Sequence, residues 1–350
     1  MLADDGSVLG VTWSGTHLVL SASVPAERLG RILGLLAEFL GRPHYTSTAC
    51  GSVAHRLAER TRRALSAPAA SVQEALRTHC FPANPHARLP SPDALTAVTA
   101  DRVAALHRSM ARPRDSFLVV VGAVDPHRAL TESTAAFGSW ESAGTTREER
   151  PPAWSGQGIR VIEREGTAQA QLALAAPAPP RTDPDFAALS IGNCLFGGFF
   201  SSRLMRRLRE RDGLVYQVES TIDEILSNPA IVINCATAPE KAEKTLTETR
   251  NEIRRLLSQP PTSQEIEAAR EYMTGITYIG QTSQAGLASA LAGVLACGLE
   301  PSWLRDFPEQ LRAVTPDQVR DVFERHYTVD AFTGVVVTAP DPQEVRLLQK

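Results

Sequence analysis

The chain has 350 residues, a formal net charge of −3 and 21% charged residues. This length suits two domains of ordinary size, and the near-neutral charge excludes a protein whose main partner is the nucleic-acid backbone. A hydrophobic content of 43% is enough to bury a core and excludes a disordered chain.

The opening residues, MLADDGSVLG, place Asp4 and Asp5 where a secretory leader carries basic side chains. No stretch stays apolar for the length of a membrane span. Cys50, Cys80, Cys194, Cys235 and Cys297 are scattered without a C-x-x-C pair, which fits buried thiols in a reducing compartment. A cytoplasmic location is expected.

Residues 17–40, HLVLSASVPAERLGRILGLLAEFL, read as a strand, a proline-bearing turn and a helix. Leu29, Ile32, Leu33, Leu36, Phe39 and Leu40 recur at helical spacing and give that helix one apolar face. VAHRLAERTRRAL (53–65) sets His55 and Glu59 four residues apart, and HCFPANPH (79–86) reads as a helix end followed by a loop. Residues 98–122, VTADRVAALHRSMARPRDSFLVVVG, give a helix capped by Thr99, a basic turn and a β-branched run. The stretch 141–157, ESAGTTREERPPAWSGQ, is polar and has no apolar period, as a linker would. The strand IRVIER then opens a second half at Gly158. TAQAQLALAAP (167–177) alternates loosely and reads equally as an interior strand or as an edge that accepts an extended peptide.

Residues 183–220, DPDFAALSIGNCLFGGFFSSRLMRRLRERDGLVYQVES, hold the sharpest pattern. An apolar helix starts near Asp183-Pro184 and breaks at Gly197-Gly198. Ser201 or Ser202 caps a second helix that runs through Arg209. Asp212-Gly213 then turns the chain into the strand Leu214–Val218. AIVINCATAPEKAEKTLTETRNEI (230–253) repeats the strand, proline turn and helix of 17–40. VTPDQVRDVFERHYTVDAFTGVVVT (314–338) repeats 98–122, with Thr315 as cap and Pro316 at the first helical position.

Asp101 pairs with Asp317 at an offset of 216 residues, and Pro25 with Pro239 at 214. Two matches at nearly one offset favour a duplicated unit over convergence. At that offset residues 158–216 have no counterpart, so the first copy is expected to lack opening strands and a helix.

These segments resemble the pitrilysin/insulinase-type zinc peptidases, the H-x-x-E-H family, over nearly the whole chain. The likeness rests on the Gly-Gly loop, the S-S-R-L helix, the signature LRERDGLVY (208–216) and the later V-T-x-D-x-V helix. It implies an α+β fold of two duplicated α/β units of the mitochondrial-processing-peptidase-like type. The expected division is 1–140, a linker 141–157 and 158–350. Arg209 and Tyr216 match the family's Arg/Tyr pair, which the resemblance implies helps hold a peptide and its tetrahedral intermediate beside a metal carried elsewhere. Read singly, Arg209 is a cation at a helix C-terminus and Tyr216 a half-buried strand aromatic. Gly197, Gly198 and Phe199 match a loop that touches substrate in related metal-free subunits, and a plain hinge is the alternative.

None of the eight histidines has Glu at +3 followed by His, and none forms H-E-x-x-H. The family's third ligand falls near Glu59, one position off, with Arg60 in the slot. No metal is therefore expected in this chain. Zinc is expected in a homologous H-x-x-E-H subunit that pairs with it, with a peptide as substrate. A structural or peptide-binding relative without catalytic role, and a gene model that starts too late in an active peptidase, are the alternatives. No G-x-S-x-G elbow, P-loop or dinucleotide fingerprint is present.

Overall fold

The computed structural model describes residues 8–13, 17–140 and 151–340. Residues 141–150 of the expected linker lie outside them. By contact, the chain divides into two units: residues 1–62, 90–150 and 279–304, and residues 63–89, 151–278 and 305–350.

In the first unit, β1 (Val8–Trp13) and β2 (Leu18–Ser23) form an antiparallel hairpin with Val8 opposite Ser23. Helix α1 (Leu29–Gly41) buries Leu29, Ile32 and Leu33 against Val24, Val124, Ala129 and Phe137, the last two from α6 (Pro126–Phe137). The expected apolar face is therefore real, although Phe39 at its far end is exposed. Helix α2 spans Ser47–Ser66, α4 Pro92–Thr96 and α5 Ala100–Met110. Thr99 caps α5, its hydroxyl accepting from the Arg102 amide. His107 Nε2 lies 2.8 Å from the Leu40 carbonyl, which can only accept, so Nδ1 accepts from the Tyr45 hydroxyl at 2.8 Å. The β-branched run after α5, Phe117–Val121, is not a strand: none of the described residues pairs with it.

The second unit is built on a five-stranded sheet of order β3-β7-β4-β6-β5. Its strands are β3 (Ile159–Glu163), β4 (Ala170–Pro177), β5 (Val215–Ile225), β6 (Asn228–Thr237) and β7 (Thr333–Thr338). Only the β3–β7 pair is parallel. Residues 167–177 resolve to the interior alternative, since β4 is bonded to β6 on one side and β7 on the other. A strand with sheet on both sides and helices on both faces has no wet face, which is why Ala170–Ala176 is almost entirely buried.

Successive strand residues point to opposite faces. Ala173, Ala175, Val232, Val335 and Val337 face α3 (Pro68–Cys80), which packs Val72, Leu76 and Cys80 against them. Trp154 closes this layer, its ring edge-on to Phe81 at 5.2 Å. Leu172, Leu174, Ile231, Ile233 and Val336 point to the other face and are buried as well. The helices are α7 (Phe186–Asn193), α8 (Ala242–Ser258), α9 (Ser263–Gly280), α11 (Trp303–Ala313) and α12 (Pro316–His326), while α10 (Gln284–Ala296) falls in the first unit. Helix α12 carries the full reciprocal cap, Thr315 with Gln318, and Pro316 at its start.

Candidate functional site

All eight residues of α7 are buried. The helix breaks at the glycine pair, as the sequence predicts. It widens into a π-helical turn, Cys194–Gly198, and ends at Phe199 in an extended conformation. Gly197 is pressed onto β5: an added Cβ would stand 2.6 Å from Ser220 Cβ and 2.9 Å from its backbone nitrogen. Gly198 is exposed. A buried polar knot fixes this end of the helix. Asn193 Oδ1 accepts from the Ser220 hydroxyl (2.5 Å) and from the Tyr327 hydroxyl (3.0 Å), and Asn193 Nδ2 donates to the Ser220 carbonyl (2.8 Å). An Asn inside the largely apolar run ALSIGNCLF was the signal for this knot, which sequence reasoning missed.

Ser202, not Ser201, caps the next helix, its hydroxyl accepting from the Met205 amide. A second π-helical stretch, Met205–Arg211, carries the signature. Single π turns recur at functional positions because they shift side chains out of regular α register. Carboxylates hold two of its arginines and Arg203 just before it. Arg203 and Arg206 donate to Glu265 at the start of α9, and Arg207 donates to Glu248 of α8 at 2.6 Å. Gly213, at φ 57°, makes the turn that Asp212-Gly213 predicts.

Arg209 is treated differently. Its side chain has no hydrogen bond or carboxylate partner among the described residues. Its guanidinium carbon lies 5.0 Å from the Tyr216 ring centroid and 5.2 Å from that of Phe200. Phe200 is exposed and Tyr216 is 80% exposed. The Tyr216 position follows from a bulge. Val215 pairs with Thr237 and Val218 with Cys235, so β5 spends one residue more than β6. Val215 and Val218 stay buried while Tyr216 and Gln217 both face outward. β5 is also an edge of this sheet among the described residues. Phe199 turns the other way, onto Tyr272 of α9 at 5.4 Å.

The structure thus joins Arg209 and Tyr216 and adds Phe200, while Gly197 and Phe199 pack against their own unit. Two cation–π contacts of about 0.5–1 kcal/mol each orient the guanidinium without occupying its N–H groups. The cluster offers N–H and O–H donors side by side on an exposed surface.

The other candidates do not assemble. Glu59 pairs with Arg62. His79 contacts the Thr333 hydroxyl at 2.7 Å, Cys80 is buried in the core, and the His86 amide donates to Asn84. Among the described residues no group of three or more His, Cys, Asp or Glu is placed to hold a metal. All five cysteines are free. Burial pushes the Cys80, Cys194 and Cys235 thiols up to about 12, so they are protonated at neutral pH and not nucleophiles. No described helix is long and apolar enough to cross a membrane.

Residues 97–273, just over half of the chain, match the family model for the peptidase M16 inactive domain. A Streptomyces coelicolor protein named an uncharacterized zinc protease is 27% identical over 239 residues, 66% of this chain and 51% of that protein. The chain therefore spans about half the length of that relative. Among solved structures, a peptidase M16 inactive domain from Pseudomonas fluorescens superposes with a TM-score of 0.83 at 22% identity, over 98% of this chain and 83% of that one. A protease from Helicobacter pylori gives 0.86 at 17% identity, over 96% and 83%. At these identities the superpositions establish the α+β fold.

Proposed function

Because the chain belongs to the peptidase M16 inactive-domain family, we propose that it is the non-catalytic subunit of a two-chain zinc peptidase and lends Arg209 and Tyr216 to a site whose metal sits on a homologous partner. The described residues of this chain bring no set of ligands together for a zinc ion. The observation that carries the reading is the pairing of unsatisfied donors on Arg209 and Tyr216 at an exposed bulge, held by ring contacts rather than by carboxylates. Peptide hydrolysis puts negative charge on the former carbonyl oxygen. A phenol O–H and a planar guanidinium are suited to donate to that oxygen or to neighbouring peptide carbonyls. Gly198 and Phe200, the exposed residues of the loop, are the ones available to flank a peptide.

The test is turnover by the complex reconstituted with a zinc-bearing homologue. Tyr216→Phe keeps the ring under Arg209 and removes only the O–H. It is expected to lower kcat by roughly a hundred- to a thousand-fold with assembly unchanged. Arg209→Lys is expected to hurt as well, since a point charge cannot reproduce the fork. Near-normal turnover by an assembled Tyr216→Phe complex would move the chain to a second reading, a peptide-binding or structural subunit. That reading is favoured by the packing of Gly197 on Ser220 and Phe199 on Tyr272, which gives the loop a purely structural reason to exist.

A further inference from the structure

The Gly-Gly loop ends in two consecutive aromatic residues that the structure treats oppositely. Phe199 is extended, at φ −149° and ψ 172°, and extended backbone sends successive side chains to opposite sides. Its ring turns inward onto Tyr272, while Phe200 projects outward and is 64% exposed. A phenylalanine ring left in water forgoes the apolar burial that its neighbour obtains. What it meets instead is the Arg209 guanidinium, whose carbon lies 5.2 Å from the ring centroid.

The loop has little freedom to put that ring elsewhere. At one end Gly197 leaves no room for a side chain between Ser220 of β5 and Leu204. At the other end Ser202 is fully buried, its amide donates to the Phe199 carbonyl at 3.1 Å, and its hydroxyl caps the signature helix. Residues 198–201 bridge these two anchors. The surroundings of Arg209 supply the reason for the contact. Arg206 and Arg207 of its own helix, and Arg203 just before it, are held by carboxylates. Glu210, the next residue after Arg209, is exposed and has no ion-pair partner among the described residues. Neighbours in sequence do pair in this protein, as Arg305 does with Asp306 at 2.9 Å. Arg209 forms no such pair and lies over two rings.

We infer that Phe200 is a positioning residue. The Gly-Gly loop serves the site by setting an aromatic face on Arg209, which keeps the guanidinium off carboxylates and beside Tyr216, with its N–H groups left for a peptide carbonyl. The inference deepens the reading of Arg209 as a donor to the peptide, and it rests on that reading. It gives the loop a task performed through Arg209, whatever contact its outer surface makes with a peptide. The task calls for an aromatic ring and not merely for apolar bulk. The attraction comes from the negative face of the ring, strongest in tryptophan and absent from leucine.

The experiment compares Phe200→Leu and Phe200→Trp, alone and in an Arg209→Ala background. Turnover is measured in the complex reconstituted with a zinc-bearing homologue, and the Arg209 side-chain resonances are followed by NMR in the purified full chain. Position 200 is exposed, so circular dichroism should be unchanged in both variants. Phe200→Leu should lower kcat about two- to fivefold, the population ratio that one exposed cation–π contact supports, with KM little changed. Phe200→Trp should retain the wild-type kcat. In the Arg209→Ala background Phe200→Leu should cost no further kcat, as for a residue that acts through another. In the purified chain the Arg209 resonances, identified by their absence from Arg209→Ala, should lose the ring-current shift of Phe200 in the leucine variant and keep one in the tryptophan variant. Equal losses from Phe200→Leu in both backgrounds, full kcat with leucine, or unmoved Arg209 resonances would overturn the inference. Normal turnover by Arg209→Ala would instead overturn the reading beneath it. That result is distinct from an Arg209→Ala loss accompanied by a silent Phe200→Leu, which sinks the inference alone.

Discussion

Gly197 and Gly198 are adjacent in the chain and opposite in what they tolerate. A methyl group at 197 meets the Ser220 backbone, which cannot yield without moving β5. At 198 the nearest neighbour is the Asn193 carbonyl at 3.4 Å, an ordinary contact. Gly197→Ala is expected to cost about 1–3 kcal/mol and Gly198→Ala to stay within about 1 kcal/mol, read from urea unfolding midpoints. Equal effects would mean that the loop does not pack on Ser220. The glycine pair was legible as a loop signal, but its asymmetry was not, because Ser220 approaches from 23 residues away. Arg209 and Tyr216 were legible through their nine-residue context. Phe200 was not, since its meeting with Arg209 depends on how the loop folds back toward the bulge at Tyr216. That bulge is itself a matter of register between β5 and β6 and leaves no local mark.

The signature helix is held to the start of α9 by one carboxylate. Glu265 accepts from Arg203 in a two-pronged pair and from Arg206, and it also receives the Thr262 amide at 3.0 Å. Burial alone would push its carboxyl up, but the Arg203 hydrogen bonds and charge, the Thr262 amide and Arg206 outweigh burial and hold it at about 2. A folded-state value below the unfolded one means that the stabilisation is whole above the ordinary glutamate range and drains away as pH falls from about 4.5 toward 2. The stability gap between the wild type and Glu265→Gln should therefore be constant near neutrality and close across that window, as thermal melts at stepped pH would show. A gap that persists at pH 2 would assign the effect to packing. At this scale the helices and their caps were readable from periodicity and from Thr99 and Thr315. Strand position was not. Residues 167–177 alternate loosely because small alanines fill both faces of a central strand, and 117–121 has the composition of a strand but no paired strand among the described residues to make it one.

The units do not follow chain order: residues 63–89 join the second unit and 279–304 the first. No local pattern marks α3 as a cover for β4 and β7, because its apolar stripe would fit many surfaces. A zinc site needs three protein ligands converging on one point, and two groups one helical turn apart do not suffice. His55 and Glu59 form such a pair, Glu59 is engaged by Arg62, and no third ligand is placed to join them among the described residues. The purified chain is therefore expected to hold far less than one zinc per molecule after dialysis and to leave peptides intact. Glu59→Ala should change neither result, since it removes only an exposed ion pair worth at most about 1 kcal/mol. Metal analysis of the wild type and this variant, with a peptide-cleavage assay on each, checks the reading. One tightly held zinc per chain, lost on Glu59→Ala, would place a metal centre in this molecule and overturn its assignment as the metal-free partner.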